Sequence, residues 1–274
     1  MSSSKDPTQQ QKQPAGPEKA GAAPPAYSAP AFRTTFGSVS LHMSDRIRFV
    51  QFPKEDLEVI RATIRRCWPR GIQDERPYSA SYEFKLRGGP WSGSGTGPDA
   101  VPALILMREV LASLYSMGWI MTASTDISRK KLDKDTLIFR KQPVPPPAAT
   151  WTAISFKMGD KLRFLGAPQE LLAAFSTLLK SMKLLQSESM KDARQNYHEF
   201  KLFGYPWRAS GEETMTTRVL ILKLVELLEQ HGWSLYASID QNSGPSGDSN
   251  YSETDSWYCV KSTDWTPGSI IFHR

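Results

Sequence analysis

The chain has 274 residues, 39% of them hydrophobic and 23% charged, and a net charge of +6 from 34 basic and 28 acidic groups. Two cysteines, Cys67 and Cys259, and four scattered histidines argue against a disulfide-stapled fold or a Cys/His zinc site, so neither metal nor cofactor is expected. No apolar run approaches the roughly 20 residues of a membrane-spanning helix. The opening Met1-Ser-Ser-Ser-Lys-Asp-Pro7 lacks an apolar signal core. The expectation is an intracellular protein, cytoplasmic with the nucleus as a second compartment.

Residues 1–35 are rich in Pro, Ala, Ser, Gln and Gly. They carry too little apolar surface to offset the entropy of ordering, so a disordered tail is predicted. Within it, Pro24-Pro25-Ala26-Tyr27 is a PPxY motif. Pro24 and Pro25 favour a polyproline II turn and Tyr27 fills a second groove, which is the pattern WW domains read.

The remainder is one unit written twice: residues 36–142, a Pro-rich linker at 143–149, and residues 150–274. Asp45-Arg-Ile-Arg-Phe49 matches Asp160-Lys-Leu-Arg-Phe164, and Glu83-Phe-Lys-Leu matches Glu199-Phe-Lys-Leu. Gly118-Trp119 matches Gly232-Trp233, and Asp135 and Lys141 match Asp255 and Lys261. Each copy opens with two strands joined by a Ser-Asp or Gly-Asp turn. A helix follows the proline at Pro53 or Pro168, with apolar residues Leu57, Ile60, Ile64 and Leu172, Phe175, Leu179 at helical spacing. An alternating strand, Tyr82 to Arg87, comes next. The second helix carries Leu106, Val110, Leu114 and Leu220, Leu224, Leu228, and stops at Gly118 or Gly232. Two strands close the unit. The predicted class is α+β: two tandem copies of a mostly antiparallel sheet with two helices each. Trp265 and Ser269-Ile-Ile-Phe272 echo the leading strand at Trp151, which predicts a leading strand that completes the preceding sheet as well as opening its own. The short linker predicts that the units touch, as a pseudo-dimeric monomer.

Charge is uneven. Residues 36–143 carry 17 basic and 12 acidic groups, while residues 144–274 carry 13 and 14. Arg65-Arg66 and Arg129-Lys130-Lys131 are the densest basic groups, the candidates for an RNA or polyanion contact. Trp91 and Trp207 stand at matched turns, either as core anchors or as a paired aromatic pocket. Glu83 and Lys85 equal Glu199 and Lys201, so a two-fold pairing of Glu83 with Lys201 is one expectation. The loop Trp91 to Pro98 sits where a phosphate-cradling loop would lie but lacks the P-loop lysine, and Ser210 with Glu213 reads as a capping box. Asp126 with Asp135 and Asp240 with Asp255 read as turn residues. Three functions follow in order of preference: a non-enzymatic binding or adaptor protein, a polyanion binder, and an enzyme with a site between the units.

Overall fold

The computed structural model describes residues 34–92, 97–125, 134–193, 196–241 and 254–271. In the first unit, β1 (Phe36–His42) and β2 (Arg46–Val50) form a hairpin. Helix α1 (Lys54–Cys67) starts after Pro53, with Glu55 and Asp56 in its first turn and Arg65 and Arg66 in its last, the arrangement that complements the helix dipole. Strands β3 (Ile72–Tyr78) and β4 (Ser81–Leu86), helix α2 (Ala100–Ser116), and strands β5 (Trp119–Thr125) and β6 (Thr136–Lys141) complete it. The second unit repeats the order with β7 (Ala149–Lys157), β8 (Lys161–Leu165), α3 (Gln169–Ser181), β9 (Leu185–Asp192) and β10 (Tyr197–Leu202). It ends with α4 (Glu213–Gln230), β11 (Ser234–Ile239) and β12 (Ser256–Ser262).

Each unit builds a six-stranded antiparallel sheet, in the order β3-β4-β2-β1-β6-β5 and its equivalent β9-β10-β8-β7-β12-β11. Among the described residues, no helix is long and apolar enough to cross a membrane. Alternation decides which face is buried. Val39, Leu41, Ile47, Phe49, Phe84, Leu137 and Phe139 point toward α1 and α2, and Ile154, Phe156, Leu162, Phe164 and Phe200 point toward α3 and α4.

The two units then stack head to tail. The opposite face of the second sheet, Ala153, Leu165, Ala237, Ile239 and Tyr258, joins the core of the first unit. It packs against α2, which is therefore buried on two sides, between two sheets. Arg108 of α2 donates from Nη1 to the Leu165 carbonyl at 3.2 Å. Tyr115 packs edge-on against Trp151 and Tyr236, with centroids at 5.5 and 5.7 Å. At one end the edge strands β5 and β11 also meet: the Tyr236 hydroxyl accepts from the Met121 amide at 2.8 Å, and Asp135 Oδ2 accepts from the Asp240 amide at 2.9 Å. The layers run sheet, helices, sheet, helices.

Three expectations require correction, and two strands are added. The leading strand is not shared: both edges of β7 are taken by β8 and β12, and the edge of β1 that it would have joined is taken by β6. The echo at Trp265 forms no strand. Trp265 instead lies over Gly232, where an added Cβ would meet its ring at 2.3 Å, as Pro145 lies over Gly118 in the first unit. Glu83 does not pair with Lys201, because β4 lies between β2 and β3 and β10 between β8 and β9, in different sheets. Ser210 and Glu213 form no capping box. The chain enters α4 through a turn in which Thr214 Oγ1 donates to the Gly211 carbonyl at 2.6 Å, so the helix begins at Glu213 itself. Finally, the edge strands β3 and β9 carry no apolar alternation and are mostly exposed. Charged residues and Pro77 blunt them, as edge strands require.

Replacing Tyr236 by Phe keeps the ring contacts and strands the Met121 amide. The expected loss is about 1–3 kcal/mol in urea unfolding of the full chain, against no measurable loss for Tyr205→Phe, an exposed residue.

Candidate interaction surface

The face of the second sheet that receives α2 has a counterpart on the first sheet, and there no element of the chain packs among the described residues. The ladders superimpose residue by residue. Ser38 pairs with Val50 and Ile138, as Ala153 pairs with Leu165 and Tyr258; Phe36 pairs with Arg140, as Trp151 pairs with Val260. Where the second sheet has Ala153, Leu165, Tyr258 and Val260, the first therefore has Ser38, Val50, Ile138 and Arg140. Phe36, in place of Trp151, is 45% exposed. The outer face has the same scaffold with a more polar skin.

Its centre is a charge cluster. Glu83, only 2% exposed, accepts from Arg46 at 2.9 Å and Arg48 at 2.7 Å and pairs with Arg76 at 3.3 Å. These arginines come from β2 and β3, the two strands that flank the Glu83 strand β4. Arg48 and Arg76 also lie 4.1 and 5.6 Å from the Tyr78 ring centroid. Burial pushes the Glu83 carboxyl up, but the Arg48 hydrogen bond and the charges of Arg46, Arg48 and Arg76 outweigh it, and the group sits below the usual carboxylate range. The second sheet has the twin: Glu199 with Arg163 at 2.8 Å, Lys191 at 3.5 Å and Lys161 at 3.7 Å. The cluster thus belongs to the unit's architecture, while Arg46, Arg48, Arg76, Lys85 and Arg140 outnumber Glu83, Asp74 and Asp45, which pairs with Arg46 and Lys85, around it. These arginines did not feature among the expected site residues. The signal that could have found them is the alternation of Arg46 and Arg48 with Ile47 and Phe49 beside a glutamate shared by both copies.

The expected residues fall as follows. Pro24, Pro25, Tyr27, Asp126, Arg129, Lys130 and Lys131 lie outside the described residues. Arg65 and Arg66 are on α1, paired with Glu75 at 3.5 Å and Glu109 at 3.1 Å, away from the outer face. Trp91 and Trp207 are not brought together. Each belongs to its own core and donates its indole N–H across the turn, to the Arg46 carbonyl at 3.0 Å and the Lys161 carbonyl at 2.9 Å. Asp255 accepts from Ser238 Oγ at 2.8 Å, while Asp135 and Asp240 join the units. Residues 93–96 of the loop after Trp91 lie outside the described residues, and Asp99 follows the loop. Its carboxylate pairs with Arg70 at 3.0 Å and accepts from the Gly89 amide at 3.2 Å.

Groups with chemical reactivity are quiet. Burial pushes the Cys67 thiol up to about 11 and the Cys259 thiol higher still. Both His198 ring nitrogens are buried without a hydrogen-bond partner, the ring lies 4.6 Å from Phe200, and burial holds its pKa below the usual histidine value against the opposing charge of Glu188. Among the described residues no three His, Cys, Asp or Glu side chains are placed to hold a metal. Two clefts remain. One, of about 520 Å³, lies beside the start of α4 between Leu184, Phe203, Tyr205, Arg208 and Glu213. In the first unit the Arg70–Asp99 pair stands at that place. The other, of about 330 Å³, lies where the units meet, and Tyr115, Met121, Pro146, Tyr236, Trp265 and Ile270 line it with no charged residue, histidine or cysteine.

One family model matches the chain twice, over residues 35–140 and 150–260, which are the two structural units. No curated protein and no solved structure matches it.

Two pH profiles test these electrostatics. Because the folded pKa of Glu83 is lowered, its contribution is complete above about pH 4.5 and is lost as the pH falls through the folded value. Glu83→Gln should cost about 1–3 kcal/mol at neutral pH, with the gap to wild type closing in acid unfolding titrations. His198 also has a lowered folded pKa, so its neutral form supports the fold above about pH 6.5 and costs stability as the pH falls below. His198→Tyr, which installs the residue of the first copy (Tyr82), should flatten the stability profile just below that pH.

Proposed function

We propose, from the premise that this chain belongs to the domain family matched in both of its halves, that it is a non-enzymatic binding protein whose recognition surface is the outer face of the first sheet. One observation carries the reading. The same face of the second sheet already works as a docking platform, since α2 lies on it and buries Ala153, Leu165 and Tyr258. Two copies of one unit therefore supply one platform that is occupied from within and one turned outward. The basic excess around Glu83 selects a partner element with acidic groups, which steers association and fixes orientation. The preferred ligand is a helix, because a helix is what the twin platform holds. Pro24, Pro25 and Tyr27 supply a second contact, to a WW-domain protein, which makes the whole an adaptor.

A polyanion contact is the second reading, favoured by the arginines on β2 and β3. Phe36 and Tyr78 are both exposed, but Arg48 lies over the Tyr78 ring and competes for the stacking surface that single-stranded nucleic acids use. The enzyme reading draws least support: the cleft between the units is lined by no charged residue, histidine or cysteine, and both thiols are held protonated.

The test places a photo-crosslinking residue at Ser38 and, as a control, at Thr177 on the exposed side of α3. Protein adducts at Ser38 that disappear with Ile138→Asp are expected, together with loss of WW-domain binding on Tyr27→Ala alone. Adducts that ignore Ile138→Asp would contradict the platform. Steep salt-dependent heparin retention abolished by Arg48→Glu would transfer the function to polyanions.

A further inference from the structure

The two ends of the layered stack are complementary to each other, and we infer that the occupant of the outer platform is α4 of a second copy of this chain. The inference rests on the platform reading above and names its partner. The junction between the units is heterologous: α2 of the first unit packs on the back of the second sheet. Such an interface uses two different surfaces and leaves both unused at the ends of the assembly. Here the unused surfaces are the outer face of the first sheet and the outward stripe of α4.

That stripe is apolar where a surface helix is ordinarily polar. Met215, Val219 and Leu222, spaced four and three residues apart, are 56%, 49% and 62% exposed, and this spacing puts them on one side of the helix. The repeat makes Leu222 the counterpart of Arg108, and Glu229 that of Tyr115. These are the two α2 residues seen to grip the second sheet.

Each exchange is matched on the opposite surface. Arg108 needs Gly166 beneath it, because a Cβ there would meet the guanidinium at 2.3 Å. The counterpart of Gly166 is Gln51, and the residue facing it would be the shorter Leu222. Tyr115 packs on Trp151, whose cross-strand neighbour is Val260. The counterparts are Glu229, Phe36 and Arg140, and Arg140 is the cross-strand neighbour of Phe36. An aromatic contact in the internal junction thus becomes a Glu229–Arg140 ion pair over Phe36 in the external one. The wider charges agree. Glu212, Glu213, Glu226 and Glu229 outnumber Arg218 and Lys223 on the α4 side, while the sheet side is basic. Opposite charge at the two ends favours head-to-tail approach and disfavours head-to-head or tail-to-tail pairing.

The test is sedimentation velocity of the full chain across a concentration series reaching roughly the high micromolar range, where an interface more polar than the internal one is expected to form. The weight-average mass should at least double from the 30.8 kDa of one chain. Leu222→Glu blocks the helix end and Ile138→Asp blocks the sheet end, so each variant alone should stay monomeric. Mixed in equal amounts, they share one intact junction, and the mixture should form dimers and stop there. Both substitutions fall on partly or largely exposed positions, and circular dichroism of each variant confirms folding. A second measurement does not depend on blocking: Arg140→Glu should weaken association and Glu229→Lys in the same chain should restore it.

Wild type that stays monomeric at every concentration, or a mixture that stays monomeric while wild type associates, overturns the inference. If wild type is monomeric while crosslinks at Ser38 capture a different protein, the second copy is excluded and the platform stands. If neither association nor crosslinking occurs, both readings fall.

Discussion

Helix α2 is buried on two sides, and most of the architecture depends on that. A helix against one sheet needs an apolar stripe; a helix between two sheets needs apolar residues nearly all round. Ala103, Leu104, Leu106, Met107, Val110, Leu111 and Leu114 are all buried in α2, whereas its copy α4 buries only Leu220, Leu224 and Leu228. This difference converts two repeated units into one layered body. It also dictates local detail at some distance. Gly166 takes a positive φ of 78° and is further constrained because Arg108 lies over it, while its counterpart Gln51 holds the same left-handed backbone with a side chain.

Once α2 lies between the sheets, the copies are no longer equivalent and their surfaces diverge for physical reasons. Positions under α2 in the second sheet are Ala153, Leu165, Tyr258 and Val260, and the same positions on the outward sheet are Ser38, Val50, Ile138 and Arg140. What both copies retain is what the unit needs by itself: the buried glutamate braced by basic residues from neighbouring strands, the tryptophan indole that ties each strand-to-helix turn, and the glycine that ends each second helix. A buried carboxylate stripped of its cationic partners is costly, which explains why Glu83 and Glu199 persist along with a basic shell rather than a particular basic residue.

The fold was legible where it follows periodicity. Leu57, Ile60 and Ile64 gave a helix, Tyr82, Phe84 and Leu86 a half-buried strand, and the matching segments the duplication, which is found again in the twofold family match. The strands β3 and β9 were not legible, because an edge strand shows solvent polar side chains such as Gln73, Asp74 and Arg76 and obeys no alternation. The alternation of Glu83 and Lys85 shows the face they occupy but not which strand lies beside them. That is settled by sheet order, and Arg46 and Arg48 on β2 took the place expected for Lys201. The Trp265 echo misled in a similar way: a tryptophan over a helix-ending glycine and a tryptophan on a strand look alike in a string of letters. The outer platform was invisible for a deeper reason. It is defined by what packs on its twin, and no local pattern encodes which of two similar sheets is covered.

The central claim is that the two units form one cooperative body through α2. Native-state hydrogen exchange on the full chain tests it most directly. Amides of α2 and of β7, on either side of the junction, should exchange with the same opening free energy and the same denaturant dependence, since neither can open without exposing the other. Exchange of β7 and β11 at an energy clearly separate from that of α2 would mean two independent domains and would contradict the account.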